Sequence, residues 1–278
     1  MRRDERHVLA ALDRAADTHA VLVVAGEAAA HLGDLPVREV HVVPGPGLRG
    51  AARQAALARV ERGEAAEVQG RPVDILAGLV ESPRAALAVF GTGNPSARPT
   101  PRRPSGTAFA VARRVRHPIL LVPPSLEKWP GALRVLVPLD GTGITALAAS
   151  AALALLSVPD TVATTVHVFD QRTVPQFWDS PQHEYEAWTK EFRARYCDAL
   201  GNGLEVRAGP VSDRLTEMAA SGAFDMIVVV WNQQTSGGRA AVVADLLAGA
   251  GIPILLVPSS YVSQALADAG HVPGNGEG

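Results

Sequence analysis

Two stretches of this 278-residue chain, 7–122 and 134–257, repeat one pattern of apolar strands and alanine-rich helices. Any fold assigned to one stretch must therefore serve the other. Each opens on a short apolar run that ends in aspartate, His7-Val-Leu-Ala-Ala-Leu-Asp13 and Arg134-Val-Leu-Val-Pro-Leu-Asp140, and these read as buried strands. Residues of good helix-forming character follow over Ala15–Gly33 and Thr145–Ser157. The run Ala20-Val-Leu-Val-Val-Ala25 alone suggests a strand, but the repeat places it inside the first helix.

Second strands, Glu39–Val43 and Thr165–Phe169, carry His41 and His167 at 28 and 27 residues after the respective aspartates, which sets the register between the copies. Polar helices at about 49–62 and 182–199 lead to third strands that end at Gly70 and Gly209. Short helices over Val73–Glu81 and Ser212–Ala220 precede fourth strands, Ala86–Gly91 and Met226–Trp231, which end 21 and 22 residues past those glycines. A last helix then feeds Pro118–Pro123 or Pro253–Pro258. Five strands alternating with four helices predict, in each copy, a doubly wound parallel sheet with right-handed crossovers and helices on both faces. The expected division is a first domain over 1–123, a proline-containing linker over 124–133, a second domain over 134–262 and a disordered tail over 263–278.

Composition narrows the setting. No apolar run approaches the roughly 18 residues that span a bilayer, and the acidic residues near the start do not suit a signal peptide, so a cytoplasmic protein with no membrane partner is expected. A single cysteine, Cys197, excludes an internal disulfide framework and a cysteine metal cluster. Cut at Lys128, the chain divides into a basic part with 18 Lys and Arg against 13 Asp and Glu and an acidic part with 8 against 15. Such a split favours docking of the two units, or marks the first as the one that faces an anion; ordinary surface drift explains it equally.

With these features the chain resembles the universal stress protein family in its tandem form, over nearly its whole length. The resemblance implies that strands one and four are neighbours, so that Asp13 and Gly91 face one crevice beyond the carboxyl ends of the strands and Asp140 and Trp231 the matching crevice of the second copy. Nucleotide-binding members carry a glycine, two residues, a glycine, nine residues, then glycine with serine or threonine. Such a loop lets backbone N–H groups wrap phosphates. Here Gly91 opens the pattern, Asn94 replaces the second glycine with Gly93 beside it, and Gly106-Thr107 closes it after eleven residues instead of nine. The resemblance implies that Asp13 binds ribose or adenine and that backbone near Val42 lines the base. Arg98, Arg102 and Arg103 either clamp a triphosphate or form a solvated basic loop. In the second copy the pattern puts Trp231 at the first glycine, Gln234 at the second and Ala240-Ala241 at the close, so no ATP is expected there.

Other candidates are weaker. His41 and His167 read as strand residues with satisfied hydrogen bonds and not as ligands, and Asp179, His183, Glu184 and Glu186 read as a solvated helix face. Phe177, Trp178, Tyr185 and Trp188 fasten a loop, cover the altered pocket or meet a protein partner. Arg113, Arg114 and Arg116 lack any nucleic-acid module around them, so no nucleic acid is expected. Neither a nucleophile elbow nor a Walker loop occurs. The near-identical apolar strands Ile119–Val122 and Ile254–Val257 invite pairing, so the two copies are expected to form an intramolecular pseudo-dimer, with homodimerisation of whole chains left open. The reading is of a stress-response module holding ATP or another adenine nucleotide in the first copy only, with no metal beyond the Mg that accompanies a nucleotide and at most slow hydrolysis; the alternative is an interaction scaffold that binds no nucleotide.

Overall fold

The computed structural model describes residues 6–13, 18–92, 106–130, 132–156, 160–169, 182–197, 200, 203–233 and 238–261. In the first copy these form β1 (His7–Leu12), α1 (His19–His31), β2 (Val37–Pro44), α2 (Gly50–Glu61), β3 (Glu67–Gly70), α3 (Pro72–Val80), β4 (Ala85–Gly91), α4 (Thr107–Ala112) and β5 (Ile119–Val122). The second copy repeats the order with β6 (Arg134–Pro138), α5 (Gly143–Leu156), β7 (Val162–Phe169), α6 (Gln182–Tyr196), β8 (Gly203–Ala208), α7 (Val211–Ala220), β9 (Met226–Trp231), α8 (Gly238–Gly249) and β10 (Ile254–Pro258). The ambiguous run Ala20–Ala25 is helical, and burial on the sheet supplies the reason: Ala20, Val21, Val24 and Ala25 are all buried in α1. The segment 263–278 lies outside the described residues.

All ten strands join one sheet in the order β3-β2-β1-β4-β5-β10-β9-β6-β7-β8. Pairing is parallel throughout each copy and antiparallel only between β5 and β10, where Leu120 faces Leu255. Ile119 pairs with Leu256 and Leu121 with Ile254, a self-complementary register centred on that leucine pair. Fully apolar strands need cover on both faces, and here each also needs a neighbour at its open edge; the copies supply that to one another. The connecting segment is packed as well, since Trp129 and Leu133 are buried in the core beneath α1 and α5.

Alternate strand residues divide between two cores. Val8, Ala10, Leu87 and Val89 face α1 and α5, while Leu9, Ala11, Ala88 and Phe90 face α3, α4, α7 and α8. One helix departs from the expected right-handed crossovers. Leu57 and Val60 of α2 join the α3 face, whereas Phe192 of the corresponding α6 joins the α5 face. Because β1, β2 and β3 step one way across the sheet, α1 and α2 on opposite faces give crossovers of opposite hand. Side-chain polarity explains this: on the α1 face β2 and β3 present Glu39, Glu67 and Gln69, all exposed, and on the other face Val40, Val42 and Val68, all buried. An apolar stripe goes where the apolar strand residues are.

Candidate functional site

Of the residues that the sequence selects in the first copy, Asp13, Val42 and Gly91 lie at the carboxyl edge of the sheet. Ala11 of β1 pairs with Phe90 of β4, and Leu12 pairs with His41 of β2. One step further along these ladders, exposed Asp13 lies between the end of β4 at Gly91 and the buried Val42 of β2. His41 Nδ1–H donates to the Leu12 carbonyl at 3.1 Å, and His167 Nδ1–H donates to the Leu139 carbonyl at 2.8 Å. Each histidine thereby fixes the residue just before the aspartate. Burial among aromatic rings lowers the His167 pKa, opposed by the bond to Leu139, so it stays neutral at physiological pH.

Gly91 and Gly106 are not demanded by packing. A Cβ on Gly91 would meet only Val21 Cγ2, at 3.5 Å, and one on Gly106 would meet nothing within 4 Å. Gly106 has extended backbone, φ −167°, that any residue adopts, and no side chain caps the helix it opens at Thr107. Gly93, Asn94, Arg98, Arg102 and Arg103 lie outside the described residues.

In the second copy the strand register corrects the expected correspondence. Gly91 pairs with Val122 and Val230 pairs with Val257, the equivalent residue of β10; Val230 therefore stands where Gly91 does, and Trp231 stands opposite Thr92. By the same offset Gln233, and not Gln234, matches Asn94, while the offset through Pro118 and Pro253 sets Ala241, and not Ala240, against Gly106. The one-residue difference reverses the face of every side chain involved. Instead of filling space for phosphate, the Trp231 indole lies on the opposite face of the sheet against Phe109 of α4, with ring centroids 5.4 Å apart.

Asp140 is already engaged by its own copy. Its Oδ1 accepts from Thr142 N at 3.1 Å, Thr142 Oγ1 at 2.8 Å and Thr145 Oγ1 at 2.6 Å, an arrangement that caps the start of α5. Beside it, His167, Phe169, Trp188, Phe192 and Tyr196 form one aromatic cluster with successive centroids 4.6–5.5 Å apart. A Cβ on Gly141, whose φ is +80°, would touch Phe192 at 3.4 Å. Of the aromatic residues singled out in sequence only the Trp188 side chain is described, and it is a member of this cluster; Phe177 and Trp178 lie outside the described residues, as does the side chain of Tyr185. Phe169, Phe192 and Tyr196, which the sequence reading passed over, complete it. Their spacing of 188, 192 and 196 along α6 is a helical i, i+4 stripe, the signal that could have found them.

The remaining candidates resolve into structure. Arg114 pairs with Asp74 at 2.7 Å, and Glu81 accepts from the Arg116 backbone N–H. Asp179 and the side chains of His183 and Glu184 lie outside the described residues, and Glu186 is exposed. Among the described residues no group of three or more His, Cys, Asp and Glu is placed to hold a metal ion, and no helix is long and apolar enough to cross a membrane. A groove of about 510 Å³ between α2 and α3, lined in part by Arg53, Leu57, Glu61, Gly78 and Arg84, opens at the amino ends of the strands, away from the candidate site.

An open parallel sheet with strand order 3-2-1-4-5, doubled across its fifth strand, defines a tandem nucleotide-binding-type α/β protein. Residues 132–258 match the family model described as the Universal stress protein family. The matched stretch is the second copy. The chain's fold is shared with a functionally unknown protein from Pseudomonas aeruginosa PAO1, at a TM-score of 0.62 and 15% identity over 95% of this chain and 96% of that one. A putative universal stress protein from Pseudomonas aeruginosa UCBPP-PA14 aligns with a TM-score of 0.61 and 15% identity over 95% and 98%. One from Archaeoglobus fulgidus DSM 4304 aligns with 0.53 and 11% over 92% and 97%. No curated protein matches the chain.

Proposed function

We propose that this protein is a cytoplasmic regulatory module that binds an adenine nucleotide, ATP in the first instance, in its first copy alone. Asp13 would hold the ribose or the base, backbone beside Val42 the base, and the segment from Gly91 through Gly93 and Asn94 to Gly106 and Thr107 the phosphates with their Mg. The observation that carries the reading is the contrast at one structural position: Gly91, which packing does not require, against the β-branched Val230. A bare backbone beside the strand end leaves room for phosphate oxygens to approach N–H groups, and a valine takes it. In the second copy Asp140 Oδ1 accepts from three donors of its own copy, which commits that carboxylate to the start of α5.

Binding in this reading sets a regulatory state. Any hydrolysis is slow in this reading, because among the described residues no side chain is identified as a general base at the site. Titration of the full chain with MgATP by calorimetry tests it, with Gly106→Trp as the control. One saturable site per chain, lost on Gly106→Trp, is expected. Absence of saturable binding at millimolar MgATP refutes the reading in favour of a scaffold without nucleotide; binding that survives the substitution moves the site elsewhere.

A further inference from the structure

The segment that leaves β9 crosses into the other copy. Trp231, 1% exposed, lies against Phe109 with the ring planes inclined at 35°. Two residues on, Gln233 Nε2 donates to the Ala112 carbonyl at 2.8 Å and to the Val115 carbonyl at 2.5 Å. These carbonyls stand where α4 ends, and a helix terminus has no N–H of its own to offer them. Gln233 adopts φ +60°, a left-handed conformation that residues other than glycine enter rarely, so the local backbone gives up some stability to hold the amide there.

The aromatic part of this bracing runs one way. At the mirrored positions Thr92 stands for Trp231, and the offset through Pro118 and Pro253 puts Ala244 opposite Phe109, so the large pair occurs once. It occurs at the helix that needs it. With six residues α4 is too short to be stable alone, and no side chain caps its start at Gly106. Packing fixes its position, and its two ends are about 9 Å apart at 1.5 Å per residue, so a tilt released at Ala112 is felt at Thr107.

We propose that the second copy positions the first-copy site: Gln233, supported by Trp231, is a positioning residue that sets the place of Gly106 and Thr107 through α4. The claim about the site rests on the nucleotide reading above; the claim about the helix does not. The division of labour then has a physical form, with one copy offering the ligand-facing backbone and the other the clamp that keeps it in place.

The test uses the full chain with Gln233→Gly, which tolerates the left-handed backbone and removes the amide, and Trp231→Thr, which copies the mirrored half. Hydrogen exchange is followed at amides 107–116, and MgATP is titrated on the same samples. Exchange at these amides should rise roughly tenfold in Gln233→Gly, with amides of α6 unchanged, and the MgATP dissociation constant should rise roughly five- to tenfold. Trp231→Phe keeps a ring on Phe109 and should restore most of the protection lost in Trp231→Thr. Unchanged exchange in Gln233→Gly overturns the clamp. Raised exchange with unaltered MgATP affinity overturns the positioning role. A wild-type chain that binds no MgATP removes the nucleotide reading and the positioning role with it, while the exchange measurement still decides the clamp.

Discussion

The two copies agree along the strands and differ wherever a strand ends. At the amino end of the first strand, His7 is 1% exposed with neither ring nitrogen hydrogen-bonded, while its counterpart Arg134 forms a two-pronged pair with Asp225, at 2.7 and 2.9 Å. At the carboxyl end, Gly91 is matched by Val230, and Asp13 by Asp140, which caps the start of α5. Strand interiors are constrained by the shared sheet; their ends answer only to local chemistry. Duplication therefore preserved the scaffold and left the edges to diverge, the second copy filling its own carboxyl edge with threonines and aromatic rings.

The largest effect is expected where the copies are joined. Leu120 and Leu255 are both 0% exposed and face one another across the seam. Leu255→Asp buries a carboxylate with no partner and should cost about 4 kcal/mol or more in chemical denaturation, enough to lower the midpoint drastically. A loss below about 1 kcal/mol would show that the copies fold independently and that the continuous sheet is not a cooperative unit.

Acid should separate the copies next. Burial, aided by Arg38 and Arg84, lowers the His7 pKa from 6.5 to about 4. Its neutral form is the one the fold accepts, so the stabilisation is complete above the unfolded pKa of 6.5, declines as pH falls, and is gone below about 4. Over that window the first copy should lose about 3 kcal/mol, read as a pH-dependent denaturation free energy, and His7→Leu should flatten the slope. Asp225 is shifted downward by its hydrogen bonds from Arg134, so the second copy keeps its contribution until pH falls below the ordinary carboxylate value of 3.8. Exchange at pH 5 should therefore show β1 and β4 loosening before β6 and β9; the reverse order would sink the comparison.

A smaller effect is expected at the crevice. Gly91→Val places in the first copy the residue that the second already tolerates, and should weaken MgATP binding more than tenfold, about 1.4 kcal/mol, with little change in melting temperature. The reciprocal Val230→Gly should create no second site, because Asp140 remains engaged.

Much of this was legible in the repeat. Periodicity and matched spacing carried the ten strands, and the doubled apolar run at Ile119–Val122 and Ile254–Val257 carried the seam. The spacing also carried the sign of the slip: β4 and β9 end 21 and 22 residues after Gly70 and Gly209, so the residue level with Gly91 is Val230, one before the end of β9. Trp231 ends β9, as its sequence suggests, but it is not level with Gly91, and its side chain serves the other copy. Gln233 carried no signal at all, since its partners Ala112 and Val115 lie more than a hundred residues away and are backbone atoms. The face chosen by α2 could have been read from Glu39, Glu67 and Gln69 against Val40, Val42 and Val68, but only once the strands were aligned side by side.

The smallest effect separates two roles for Asp140. If its carboxylate is a helix-capping group, then Thr145→Val, at a residue 4% exposed, removes one of the three donors to Oδ1 and should cost about 1 kcal/mol with no change in ligand binding. If Asp140 is instead a ligand group held in reserve, the same change frees an acceptor beside Gly141, and the calorimetric stoichiometry should climb from one nucleotide per chain towards two. The aromatic cluster argues for the first outcome. Phe192 already lies within 3.4 Å of where a Cβ on Gly141 would sit, so release of the carboxylate opens no room beside it. A stoichiometry that stays at one while the melting temperature falls would place the second copy's aspartate among the structural residues and leave the first copy as the binding half.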